Sequence, residues 1–293
     1  MAKSSWRCHC GDVAPVHRVA VAGTHVEVEE LGAGEPVVVV QTALSMHEHA
    51  PLSRALSTDF HVWHVHRPGY GDSGPARGPA SVTGDADHLA SVLADLDVGP
   101  AHLVGASYSA AIVLSLASRH QGAVRSLSVV EPPPYDTKGA ADFRAACESI
   151  LDVWSRMGAG AAVDEIMTMV DGPDWRANAE RDLPGSAADM ERDAAAFFGA
   201  DLPALLDWTL DDEQAATIVC PTLLVGGAES HERFREMLTR LERVLPRPTR
   251  ATVAGAGHSA ALTHPAEVAT AVRRHVRAVS RGTREDGGAR DRS

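Results

Sequence analysis

Short β-branched runs alternate with helical patterns along the first half of this chain, and that alternation most limits its fold. "PVVVVQ" (36–41) is a continuous apolar run, as expected of a strand buried on both faces. After it come a helix at 49–57, a strand at 60–66, a helix at 84–98, a strand at 101–107, a helix at 108–120 and a strand at 124–132. Strands joined this way by crossover helices form a parallel sheet with helices on both faces. Two earlier strands, 16–23 and 25–32, alternate around a glycine turn and read as a hairpin. The alternation stops after residue 132. It resumes with a strand at 221–227, a helix at 231–244, a strand at 249–255 and a helix at 265–280. Residues 133–218 carry helical patterns at 140–157, 161–170, 187–199 and 202–210. They read as a helical cap inserted between two strands of one sheet. The expected architecture is α/β: a mostly parallel eight-stranded sheet built from 16–132 and 219–280. Residues 1–15 read as a loose leader. Residues 281–293 have mixed charge and almost no apolar side chains, and are expected to be disordered.

Composition narrows the function. A net charge of −12 argues against a phosphate backbone as partner, so no nucleic acid is expected. No run reaches the roughly 18 apolar residues of a membrane span, and the start lacks a signal-peptide apolar region. No membrane partner and a cytoplasmic location are expected. Cys8, Cys10, Cys147 and Cys220 are too scattered for a disulfide framework, which fits a reducing compartment. Lysine occurs only at Lys3 and Lys138, and alanine is abundant, which points to a GC-rich bacterial genome. Two patterns bear on metals. Cys8-His9-Cys10 lacks a second ligand pair at zinc spacing. His64 and His66 share a strand face, but no third ligand stands at a convincing spacing. No metal is expected.

"GASYS" (105–109) sits where a strand turns directly into a helix. A serine held there projects its hydroxyl above the sheet edge, next to the positive end of a helix. Small neighbours are needed, and Gly105, Ala106 and Ser109 are small. "GAGHS" (255–259) places His258 after the last strand, where it can serve as general base to Ser107. With "HRPGYGDSG" (66–74), these motifs resemble those of the α/β-hydrolase family, in the family's order of serine, acid, histidine. The resemblance covers residues 16–280.

It implies an oxyanion hole made by the backbone N–H groups of Ala43 and Tyr108. Here the third strand ends in Gln41 and Thr42, where relatives carry His-Gly. The family's usual aspartate position holds Ser230, with Glu229 just before it. A second candidate acid, Glu131, ends the strand after the elbow, as in certain haloalkane dehalogenases. Glu131 is preferred, because a carboxylate closing an apolar strand needs a partner. Glu229 has a sufficient explanation at a helix start. The expected activity is a serine hydrolase cleaving a small ester or lactone, with no cofactor. Leu44, Tyr135, Trp154 and Trp208 are expected to line the substrate site. His47, Glu48 and His49 follow the oxyanion loop and could line the pocket mouth, but read better as a solvated helix start. C–C bond hydrolysis and cofactor-free haloperoxidase-like chemistry use the same three residues and stay open. So does an inactive relative that only binds a ligand. The expected partner is a small acyl compound, and the sequence leaves a homodimer open.

Overall fold

The structure, a computed structural model, describes residues 14–290; most of the 1–15 leader, with Cys8 and Cys10, lies outside the described residues. The first strands are β1 (Val16–Val21), β2 (Thr24–Gly32) and β3 (Pro36–Val40), followed by α1 (Ala50–Ser57) and β4 (His61–Val65). Next come α2 (Val82–Asp95), β5 (Ala101–Ala106), α3 (Tyr108–Arg119) and β6 (Val124–Val130). A helical stretch follows: α4 (Ala140–Met157), α5 (Ala159–Asp171), α6 (Trp175–Asp182), α7 (Ser186–Ala196), α8 (Leu202–Asp207) and α9 (Asp212–Ala216). The chain then makes β7 (Thr222–Gly227), α10 (Glu232–Val244), β8 (Pro248–Val253), α11 (Ala260–Thr263) and α12 (Pro265–Arg290).

The eight strands form one sheet in the order β1-β2-β4-β3-β5-β6-β7-β8. The pairs β1–β2 and β2–β4 are antiparallel and the rest are parallel. The four valines of β3 show why the run is uninterrupted. Val38 and Val40 face the layer of α2, α3 and α10, while Val37 and Val39 face that of α1 and α12. A strand covered on both sides has no polar face to show.

Among the non-glycine residues with positive φ, three follow parallel strands that meet near the site: Leu44 after β3, Ser107 after β5 and Glu131 after β6. Such conformations cost roughly 1–3 kcal/mol each and gather where a site needs them.

The structure differs from the sequence expectation at several elements. Helix α6 has no apolar stripe to read, since only Trp175 and Ala179 are buried on it. Helix α9 is a single capped turn, too short to show a period. The segment from 281, expected to be disordered, continues α12 as far as Arg290. Extending an existing helix costs little per residue, whereas starting one is costly. Among the described residues no helix is long and apolar enough to cross a membrane.

Candidate active site

The elbow begins with Gly105. A Cβ there would sit 2.4 Å from the Ser109 carbonyl, so no larger residue fits the turn into α3. Ser109, which departs from the usual glycine, is accommodated by its hydroxyl. That group accepts from Ala106 N at 2.9 Å and donates to Ala106 O at 2.9 Å. Ser107 is held at φ 48°, ψ −120°, between β5 and α3. Its Oγ lies 3.1 Å from His258 Nε2.

His258 is placed by the loop after β8, and its ring stacks on Phe234 with centroids 4.1 Å apart. Behind it, Glu131 is fully buried at the end of β6. One carboxylate oxygen accepts from Gly227 N at 2.6 Å, and the other lies 3.5 Å from His258 Nδ1. That gap is long for a hydrogen bond, so attraction between the two is mainly electrostatic. Burial alone would lower the His258 pKa. The Glu131 carboxylate outweighs it, helped by Asp171 and Glu48, and holds the imidazole above its ordinary value. Gly227 must be glycine, since a Cβ would lie 2.2 Å from the Ala256 carbonyl. The close approach of β7 to the histidine loop depends on it.

Glu229 is exposed on the loop after β7. It lines a separate polar groove with Asp171, His231 and His264. The structure thus brings Glu131, not Glu229, to His258. Ser230 is buried but leaves its hydroxyl without a hydrogen-bond partner.

Ala43 and Tyr108 both line the cavity over Ser107. Ala43 N–H donates to nothing among the described residues, and Tyr108 N–H heads a helix, where no intrahelical acceptor exists. The departures at Gln41 and Thr42 are built into this loop. Gln41 Oε1 accepts from Arg67 N at 2.8 Å, and Thr42 Oγ1 donates to Ala106 O at 2.9 Å. These bonds tie the end of β3 to the elbow.

The cavity measures about 70 Å³, with Leu44, Phe143, Ile166, Val170 and Phe197 among its apolar walls. That is room for a handful of waters or a small acyl group. Of the residues expected to line the site, Leu44 does, while Tyr135, Trp154 and Trp208 do not. Tyr135 packs edge-on against Trp208 and accepts a hydrogen bond from Arg240 at 3.2 Å. Trp208 donates to Ser115 Oγ at 2.8 Å, and Trp154 stacks on Phe198. All three hold the helical segment to itself and to the core, the usual fate of helix aromatics.

Two features escape the sequence. Glu48, expected in a solvated helix start, lines the cavity and is its only acidic residue among the described residues. Burial, with the nearby Asp171 charge, pushes its carboxyl up to about 7, and His258 opposes the shift. The second is a buried polar cluster. Arg67 pairs with Asp201, from the turn Phe197–Asp201 before α8, and with Asp85 at 3.1 Å. Tyr70 donates to Asp201 at 2.5 Å and accepts from Leu44 N at 3.2 Å. Tyr108 donates to Asp85 at 3.0 Å. The arginine and tyrosine of "HRPGYG" thus connect the helical segment to both sides of Ala43, through Gln41 and Thr42 on one side and Leu44 on the other. A second tie runs from α5, where Asp171 accepts from Ser259 N at 3.0 Å and from its hydroxyl at 2.5 Å.

A sheet of this order with a serine elbow, a histidine loop and an acid at a strand end defines an α/β hydrolase. The sequence matches the model of the alpha/beta hydrolase family over residues 32–271, and the chain belongs to that family. No curated protein matches it in sequence. Among solved structures, an esterase from Thermogutta terrifontis superposes with a TM-score of 0.77 at 19% identity, covering 91% of this chain and 99% of that one. The enol-lactonase of Burkholderia xenovorans gives 0.75 at 17% identity, with 89% and 99% covered. An alpha/beta hydrolase from Sphaerobacter thermophilus gives 0.69 at 28% identity, with 85% and 97% covered.

Proposed function

We propose that this hydrolase cleaves a small carboxylic ester or lactone through an acyl-enzyme on Ser107. The observation that carries the reading is Ser107 Oγ, on a strained elbow facing the cavity, 3.1 Å from His258 Nε2. His258 takes the hydroxyl proton as Oγ attacks the carbonyl carbon, then gives it to the leaving alcohol. Glu131 stabilises the imidazolium that forms between those two steps. The free N–H groups of Ala43 and Tyr108 receive the oxyanion. Water, activated by the same histidine, then releases the acid. This sequence of steps needs no metal or organic cofactor.

The small cavity favours a short acyl or lactone group, and the esterase and enol-lactonase likenesses agree with that class. The helical segment 133–218 acts as the cap, supplying Ile166, Met167, Val170, Phe197, Leu202 and Leu205 to the cavity wall. Glu48 supplies a hydrogen-bonding point opposite the apolar wall, suited to a substrate with a hydroxyl or amino substituent. The test is labelling by a fluorophosphonate probe at neutral pH. Wild type is expected to label on Ser107, and Ser107→Ala to remain unlabelled. A wild-type protein that binds short esters without labelling or turnover is a binding protein, and overturns the proposal.

A further inference from the structure

Strands β2 and β4 run antiparallel, with Glu29 directly opposite His64. His66 lies two residues further on, so its side chain shares a face with that of His64. Pairing across the sheet thus supplies the third ligand that the H-x-H pattern lacks in sequence. The available donor atoms of Glu29, His64 and His66 all lie within 4.8 Å of one another.

The two imidazoles are 0% and 1% exposed, with ring centroids 4.7 Å apart. Among the described residues, none of their four ring nitrogens has a hydrogen-bond partner. The carboxylate oxygens of Glu29 stand 3.6 Å from His64 Nδ1 and 3.6 Å from His66 Nε2, beyond hydrogen-bond length. A neutral imidazole carries one N–H and one lone pair, and leaving both unmade in an interior is costly. Apolar side chains of similar size would cost less in the same place. The pair is better explained by a ligand than by packing.

We propose that Glu29, His64 and His66 form a site for a divalent ion of the zinc class. Two imidazoles and one carboxylate are a donor set zinc accepts. At metal–ligand lengths of about 2.0–2.2 Å, tetrahedral donor atoms sit about 3.4 Å apart, so side-chain movements of roughly 1–1.5 Å close the site. Glu29 keeps 28% of its side chain exposed, which gives the ion a way in from solvent. The bound ion would clamp β2 to β4 next to the oxyanion loop, where Gln41 N bonds to Val65 O. It takes no part in the chemistry at Ser107, so the site stands whether or not the ester reading does.

The test uses the full chain without an affinity tag, carrying Cys8→Ser/Cys10→Ser so that "CHC" cannot compete. The protein is stripped with a chelator and titrated with Co²⁺, read by visible absorption, and with Zn²⁺, read by calorimetry and thermal melting. One equivalent is expected to bind, with a Tm rise of several degrees in excess Zn²⁺. His64→Leu/His66→Leu should abolish uptake, and its melt without metal should not fall, because orphaned imidazoles are gone. Glu29→Gln, at a partly exposed position that leaves the core alone, should weaken binding at least about 10-fold. Absence of stoichiometric uptake, or uptake unchanged by Glu29→Gln, overturns the proposal.

Discussion

Two buried polar groupings flank the cavity, and they are built on opposite plans. The cluster of Arg67, Asp201, Tyr70, Asp85 and Tyr108 is dense with hydrogen bonds, with only Arg67 Nε left without one among the described residues. The line from Ser107 through His258 to Glu131 is sparse. Its second contact is 3.5 Å, and both His258 Nδ1 and Glu131 Oε2 lack hydrogen-bond partners. A dense network holds geometry, because losing a member leaves further buried groups unpaired. A sparse one stores interaction that is made only when charge develops on the imidazole, which is where it can speed a reaction. Substitutions in the line should therefore cost activity, and substitutions in the cluster should cost stability.

The largest expected effect is at the proposed nucleophile. Ser107→Ala should lower ester hydrolysis by about 10⁴-fold or more, while its urea melt stays close to wild type. Next is the acid. Glu131→Gln should slow fluorophosphonate labelling by about 10³–10⁴-fold, and Glu229→Gln should leave it within about twofold. A slow Glu229→Gln with a fast Glu131→Gln would move the acid to the loop after β7. The cluster should answer differently. Asp201→Asn strips one of the two charges that pair Arg67, the other being Asp85, and unfolding by urea should show a loss of about 1–3 kcal/mol. Its kcat/KM should fall less than that of Glu131→Gln, since Leu44 and Tyr108 keep their places in the folded fraction. An Asp201→Asn protein of wild-type stability would dissolve the contrast.

A smaller effect lies in the pH profile. The base must be neutral to accept the serine proton, and the pKa of His258 is raised. The rate should therefore rise with pH through a midpoint above the ordinary histidine value. Glu131→Gln removes the leading stabilising charge and should move that midpoint down. Glu48→Gln should move it down less, because the Glu48 charge acts from further off and is itself partly neutralised near pH 7. The smallest effect belongs to Trp208→Phe. It breaks one buried hydrogen bond to Ser115, worth about 1 kcal/mol in a thermal melt, with KM unchanged because Trp208 lies outside the cavity.

Much of this molecule is legible in its sequence, because the signals are local. A parallel sheet follows from strands and helices alternating, and the elbow from a serine between strand and helix flanked by small residues. Glu131 is legible because a carboxylate has no business at the end of an apolar strand without a partner. What depends on residues far apart is not legible. Glu48 looks solvated in "HEH" and is enclosed only because α5, α8 and the turn before α8 pack over it. Asp201 reads as one polar residue among helices until folding sets it against Arg67, 134 positions away. Glu29 meets His64 and His66 only through strand register. Chain-local steric and hydrophobic preferences thus decided the sheet, the elbow and the acid's place. Tertiary packing alone decided the cavity's size, the carboxyl that lines it and the two polar groupings, because burial and proximity across the fold set the energy of a buried charge.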